Sequence, residues 1–193
     1  VVRTLQSVRA EVEAMGHEVL VIAPDSFVSM PCPTYPEIRL ALARSAVVGR
    51  RIEAFGAEGI HLATEGPICL AARKYCLRRG LPFTTAYHTQ FPDYVAARTG
   101  ADPEWIWRYI RWFHAPAEAV LSSSPTVAAT LADHGIVRSR PWGRGVDFSV
   151  FGSDGARDPD IRALDGPIQL YVGRIAVEKN IEAFIKLDLP GSK

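Results

Sequence analysis

The chain has 193 residues, 48% of them apolar, which is enough to bury a core yet short for two complete α/β domains. A formal net charge of +1 removes the electrostatic case for a nucleic-acid-binding protein. No apolar run reaches membrane-spanning length, and three cysteines without metal-type spacing (Cys32, Cys69, Cys76) read as small buried hydrophobes of a reducing cytosol.

Residues 1–15 place Leu5, Val8, Val12 and Met15 on one helical stripe, and Gly16 supplies its stop. The continuous apolar run Val19-Leu20-Val21-Ile22-Ala23 predicts a strand buried on both faces, ended by Pro24 and Asp25. Pro31, Pro33 and Pro36 then predict a loop over 26–37, with a short strand from Ile38 to Leu42. Ser45 opens a helix through Phe55, and Gly59 to Ala63 is the next strand. Pro67 starts a helix that reaches Arg79, stopped by Gly80. On its buried face Cys69 and Cys76, seven apart, fall together.

Pro82 to Tyr87 reads as another strand. Residues 103–114 are helical and unusually aromatic, and Ala119 to Ser122 is a short strand. Pro125 opens a helix ending near His134 and Gly135. Residues 139–166 carry Gly, Pro, Asp and Arg with little periodicity, so the linker belongs there. Pro167 to Val172 is a new strand, followed by a helix from about Glu178 to Leu187. The opening Val1-Val2-Arg3, without Met, and the closing Leu189 to Lys193 both read as cut ends.

Strands alternate with helices throughout. That pattern predicts a Rossmann-like α/β fold, a parallel sheet with helices on both faces. Three parts are expected: a domain over 1–145 without its first strand, a linker over 146–166, and the start of a second Rossmann-like domain over 167–193. Ligands of such sheets collect beyond the carboxyl ends of the strands, so the loops after Ala23, Thr64, Tyr87, Ser122 and Gly173 are where chemistry is expected.

Four segments stand in those places. In Gly173-Arg174-Ile175-Ala176-Val177-Glu178-Lys179-Asn180 a strand ends in glycine and a helix follows. Arg174, Lys179 and free backbone N–H groups would then converge on one point suited to a diphosphate. The bland reading is two solvated cations at a turn. Tyr87-His88-Thr89, followed by Gln90-Phe91-Pro92-Asp93-Tyr94, offers an imidazole to a sugar hydroxyl, against a satisfied structural histidine. Ala63-Thr64-Glu65-Gly66-Pro67 offers polar groups to the same cleft, or Thr64 and Glu65 simply cap the helix that follows. Trp142-Gly143-Arg144-Gly145-Val146-Asp147 is a tight turn lining the cleft, or a plain hinge. The aromatic helix has its own pair of readings. Trp105, Tyr109, Trp112 and Phe113 share a face that belongs to the core or meets a lipid headgroup layer.

Taken in order, Val1-Val2-Arg3-Thr4, Ala63 to Pro67, Tyr87-His88-Thr89, Gly143 to Asp147, and Gly173-Arg174 with Glu178-Lys179 resemble the retaining glycosyltransferases of family 4, of GT-B fold. The wording is closest to the branch of bacterial mannosyltransferases and sulfoquinovosyl-diacylglycerol synthases. The resemblance implies a nucleotide-sugar donor, GDP-mannose or a UDP-sugar, and a lipid or glycan acceptor. It implies no cofactor and no metal, and a cytoplasmic place, peripheral on the inner face of the membrane. It implies His88, Arg174 and Lys179 as the catalytic set, with Gly173, Arg144 and Asp147 beside the donor. Arg3, Thr4, Glu65, Gly66, Tyr87 and Thr89 would line the acceptor side.

The family's glycine-rich turn before the Val-Val-Arg-Thr segment and its pair of distal glutamates are not in this sequence, so the 193 residues alone are expected to be inactive. Rival readings are a GT-B epimerase of UDP-sugars and a non-catalytic sugar-nucleotide module. A dinucleotide oxidoreductase lacks its Gly-x-Gly-x-x-Gly turn here.

Overall fold

A computed structural model describes residues 2–32, 35–88, 92, 100, 102–143, 145–148, 151–152, 155, 158–164, 166–173, 175, 179–188 and 190. The chain divides into two compact units, Val1–Arg144 and Gly145–Lys193.

The first unit opens with α1 (Val2–Ala14), in which Leu5, Val8 and Val12 are half-buried while Met15, beyond its end, is exposed. The next segment departs from expectation. Residues 17–23 take no part in a sheet, and Leu20 and Val21 are largely exposed; only Ile22 packs against the core. An apolar run reports a tendency to be buried and does not supply a hydrogen-bonding neighbour. The proline-rich stretch departs the other way. It forms an antiparallel hairpin, β1 (Ser29–Cys32) and β2 (Tyr35–Ala41), with Pro31 at a register shift beside Cys32. A two-stranded ribbon has only edge strands, and an edge tolerates a residue with no N–H.

The main sheet is parallel, with order β3 (His61–Leu62), β4 (Thr84–Tyr87), β5 (Val120–Ser122) and β6 (Ser139–Pro141). β6 falls within the stretch expected to be irregular. The helices α2 (Ser45–Phe55), α3 (Pro67–Arg79), α4 (Pro103–His114) and α5 (Pro125–Asp133) flank it in a Rossmann-like α/β arrangement. Proline stands in the first turn of the last three. Asp102 accepts from Glu104 N–H at the start of α4, and Ser124 from Val127 N–H at the start of α5. Gly56 and Gly80 end α2 and α3 in the left-handed conformation, at φ 67° and 64°.

Strand alternation divides the sheet's side chains. Leu62, Thr85, Tyr87, Val120 and Ser122 share one face through their register, and all are buried. Leu62 joins a cluster with Val48 and Ile52 of α2, Ala71, Ala72 and Cys76 of α3, and Phe113 of α4. Cys69 packs against that cluster too, so the two α3 cysteines do share the buried side. Tyr87 and Val120 join a second cluster with Trp107, Ile110 and Leu131. The opposite face carries His61, Thr84, Ala86, Leu121 and Arg140.

Helices α2 and α3 meet at Gly49, where an added Cβ would overlap the Tyr75 ring. Alanine gains about 1 kcal/mol of helix propensity over glycine, against about 1–3 kcal/mol for overpacking. The Tyr75 hydroxyl also bonds the Glu53 carboxylate, so the ring cannot swing aside without losing that contact. Gly49→Ala is therefore expected to lower the urea midpoint; an unchanged or raised midpoint would show that the ring moves at no cost.

The second unit contains α6 (Pro159–Arg162) and α7 (Ile181–Lys186). The strand expected over Pro167 to Val172 reduces to a single bridge at Ile168, and Val172 is 85% exposed. No ladder holds these residues among those described. The helix expected from about Glu178 begins at Ile181, because Asn180 stands before it with φ 46°.

Candidate functional site

The carboxyl ends of the parallel strands bring three loops to one edge of the sheet. Tyr87, Ser122 and Pro141 are level in register, so His88 and Trp142 emerge one residue beyond the sheet from β4 and β6. A bond from Trp142 N–H to the Ser122 carbonyl, 2.8 Å, fixes where the indole begins. The indole reaches His88, with ring centroids 5.3 Å apart, and meets His61 edge-on at 5.8 Å.

His61 also engages the Thr84 hydroxyl through Nδ1 at 2.9 Å. His61 as a whole residue is exposed, yet the side chains packed about its ring desolvate it and, with the charge of His88, push its pKa down to about 4. The expected NMR titration of the folded protein thus keeps the His61 ring neutral through pH 6. The unfolded chain takes up that proton nearer pH 6.5, so the contribution of this group to stability declines as pH falls from about 6.5 towards 4. A His61 midpoint near 6.5 in the folded protein would contradict the placement of the ring.

The turn after β3 is built differently from its sequence reading. The N-cap of α3 is Gly66, and no side chain caps it, so Thr64 and Glu65 do not serve as caps. Thr64 lies instead beside Cys69, with Oγ1 to Sγ at 3.7 Å. Burial pushes the Cys69 thiol up, which suits a packing residue. Glu65 is held from α4. The Tyr109 hydroxyl donates to the Glu65 backbone oxygen at 2.5 Å, and His114 Nε2 lies 3.2 Å from Glu65 Oε1. His114 Nδ1 meets the Thr85 hydroxyl at 2.7 Å, and its side chain is fully buried. Desolvation, with the Glu65 charge behind it, pushes Tyr109 up to about 12, so its hydroxyl stays a donor at every working pH.

His114 belongs to no local motif in the sequence, which is why the aromatic residues around it stand out more. The signal was present: His114 lies seven residues after Trp107 and four after Ile110, on the buried arc, and a buried polar group needs partners. The arc that packs inward is Trp107, Ile110, Phe113 and His114, with Tyr109 half-buried; Trp105 and Trp112 of the expected stripe face solvent, 69% and 52% exposed.

Tyr87 is a core residue rather than a cleft residue. It is 1% exposed and its ring stacks on Trp107 at 5.9 Å. Strand alternation turns it to the face opposite His88. Arg3 and Thr4 lie in the first turn of α1, Arg3 exposed and Thr4 half-buried. No hydrogen bond or ion pair among the described residues links either to the strand-end loops. Gly173, Asp147 and Lys179 belong to the second unit, and all three are exposed. Thr89, Gln90, Phe91, Asp93, Tyr94, Arg144, Arg174 and Glu178 lie outside the described residues. Among the described residues no group of three or more His, Cys, Asp or Glu side chains is placed to hold a metal ion, and no helix is long and apolar enough to cross a membrane.

The arrangement provides hydrogen-bonding groups of fixed orientation at the carboxyl edge of a parallel sheet, next to an indole face that can pack on a sugar ring. The profile of Glycosyltransferase Family 4 matches residues 1–150. A sulfoquinovosyl transferase of Arabidopsis thaliana is 30% identical over 87% of this chain and 37% of its own. A GDP-mannose-dependent alpha-mannosyltransferase of Mycolicibacterium smegmatis is 30% identical over 86% of this chain and 50% of its own. Its namesake from Mycobacterium tuberculosis is 28% identical over 100% and 55%. The chain thus spans about half or less of the length of the curated relatives it matches. No solved structure matches it at a significant level.

Proposed function

Because the chain belongs to Glycosyltransferase Family 4, we propose that the intact protein transfers a sugar from a nucleotide-sugar donor, GDP-mannose or a UDP-sugar, to a lipid or glycan acceptor with retention of configuration. The family match over residues 1–150 is the observation that carries this reading. The relatives named GDP-mannose-dependent alpha-mannosyltransferase support GDP-mannose as one donor, and the sulfoquinovosyl transferase supports transfer of another sugar.

Lys179 and Arg174, with Gly173, Arg144 and Asp147, bind the donor and its diphosphate. His88 contacts the donor sugar near the reacting carbon. Glu65 and Gly66, with Arg3, Thr4 and Thr89, receive the acceptor. The bond from the anomeric carbon to the phosphate oxygen breaks as the acceptor oxygen bonds on the same face. The acceptor's proton passes to the departing phosphate. Cations fixed at that phosphate stabilise the charge it gains, so the step draws on the protein's own lysine and arginine and needs no metal. A lipid acceptor brings the protein to the cytoplasmic face of the membrane, where the exposed Trp105 and Trp112 suit a headgroup layer. Full recovery in the soluble fraction with anionic vesicles present would count against that attachment.

The test incubates the intact protein with labelled GDP-mannose and UDP-glucose, a lipid extract and EDTA. Transfer with the donor's anomeric configuration in the product is expected. Epimerised sugar, or tight binding without turnover, would replace this reading by an epimerase or a binding module.

A further inference from the structure

Glu65 sits in a turn that does not need its side chain. Gly66 already opens α3, its carbonyl accepting from Leu70 N–H at 2.9 Å, and Pro67 sets the first helical residue. The Tyr109 hydroxyl clasps the turn through the Glu65 backbone oxygen. A structural clasp would be complete with those contacts. Yet the Glu65 carboxylate is drawn in until its side chain is only 18% exposed, against a histidine that is wholly buried. Burying a carboxylate costs more than satisfying His114 Nε2 requires, since the oxygen of a neutral amide could accept the same bond.

The histidine is constrained from both sides. The Thr85 hydroxyl, from the buried face of β4, engages Nδ1, which directs Nε2 at Glu65 Oε1. With Nε2 donating to the carboxylate and Nδ1 accepting from the Thr85 hydroxyl, the ring meets both contacts. A chain thus runs from a sheet residue through a helix residue to a carboxylate at the strand-end edge. A carboxylate accepts about four hydrogen bonds, and the histidine uses one, so the group keeps capacity for a hydroxyl.

Resting on the transferase reading above, we propose that His114 and Tyr109 are positioning residues that orient the Glu65 carboxylate to accept a hydrogen bond from the acceptor's hydroxyl. The selectivity of that contact falls on the acceptor side. Loss of the orientation weakens acceptor recognition and leaves the donor's binding as it was.

The experiment uses the intact protein with its best nucleotide-sugar and acceptor. His114→Ala is expected to raise the acceptor KM about tenfold, the weight of one hydrogen bond to a charged group, with the donor KM within about twofold. His114→Gln, which keeps an N–H donor towards Glu65, is expected to recover most of the loss. Glu65→Gln should show the same acceptor defect, and His114→Ala should add little on that background, because both remove one contact. Should His114→Ala fail to fold, Tyr109→Phe removes a single hydroxyl and should still raise the acceptor KM. Nitrogen-15 spectra should show the His114 proton on Nε2 and shift in Glu65→Gln. Equal changes in both KM values, additive effects of the two substitutions, or a lowered melting temperature as the only change would overturn the assignment. Wild-type protein that transfers no sugar at all would overturn the transferase reading and this inference with it. Active wild type with variants of unaltered acceptor KM would overturn this inference alone.

Discussion

Replacing Arg73 by methionine is expected to remove about 3–5 kcal/mol from the first unit, a large share of what a domain of this size commands. Arg73 is 7% exposed and reaches from α3 to the last turn of α4. Its Nε donates to the Phe113 carbonyl at 2.9 Å and its Nη2 to the Trp112 carbonyl at 2.6 Å. Those carbonyls lack their helical donors for a reason legible in the chain. The N–H four residues after Trp112 would belong to Pro116, which has none, and Ala117 N–H turns to the His114 carbonyl instead. The guanidinium also stacks over the Trp112 ring at 3.9 Å and brings positive charge to the negative end of the helix. Methionine fills the space and satisfies neither oxygen. Desolvation lowers the arginine's pKa, but a guanidinium stays charged across the working range. Lysine should recover about half of the loss, since a point charge cannot span two carbonyls and stack at once. Urea midpoints of the three proteins decide the matter. A loss below about 1 kcal/mol in Arg73→Met would mean that water reaches those carbonyls.

Arg73 and His114 also mark how far the sequence could be read. The starts of α3, α4 and α5 were legible because proline at the first helical position acts locally, as did Gly80 at the end of α3. The hairpin at 29–41 was hidden, because prolines that forbid a central strand are acceptable in a ribbon with two edges. The run at 19–23 misled in the opposite sense. Its residues look fit for a sheet, but a strand exists only where a neighbour presents its backbone. At the site, the loops after β3 and β4 were predicted by the rule that ligands gather at strand carboxyl ends. Which groups would face that edge was not fully legible. Tyr87 and His88 are adjacent in sequence and lie on opposite sides of the sheet, and alternation from Leu62 and Thr85 would have said so. The Glu65–His114–Thr85 chain spans residues 65 to 114, a separation over which no local pattern carries information.

Lys179→Ala is expected to lower kcat/KM for sugar transfer by the intact protein about 10²–10³-fold, the usual weight of one preorganised charge at a developing anion. In the mechanism proposed above, the departing phosphate oxygen gains a full charge as the sugar leaves, and that same oxygen takes the acceptor's proton. A cation there acts more strongly on the transition state than on the bound donor, so the loss should appear in kcat rather than in donor KM. Lys179 stands just before α7, whose Asn180 turns the chain through a left-handed conformation. It is exposed, as a residue that meets a soluble ligand must be. Lys179→Arg should retain much of the activity, because charge is the requirement and guanidinium also matches phosphate geometry. His88→Ala gives the complementary result. An imidazole that contacts the donor sugar and not the diphosphate should matter by about 10²-fold, and its loss should leave nucleotide affinity unaltered. Steady-state kinetics with donor and free nucleotide as separate ligands distinguishes the two. If Lys179→Ala weakened free nucleotide and donor equally while kcat held, the lysine would be a binding group only, and the charge on the leaving phosphate would have to be met by Arg174 alone.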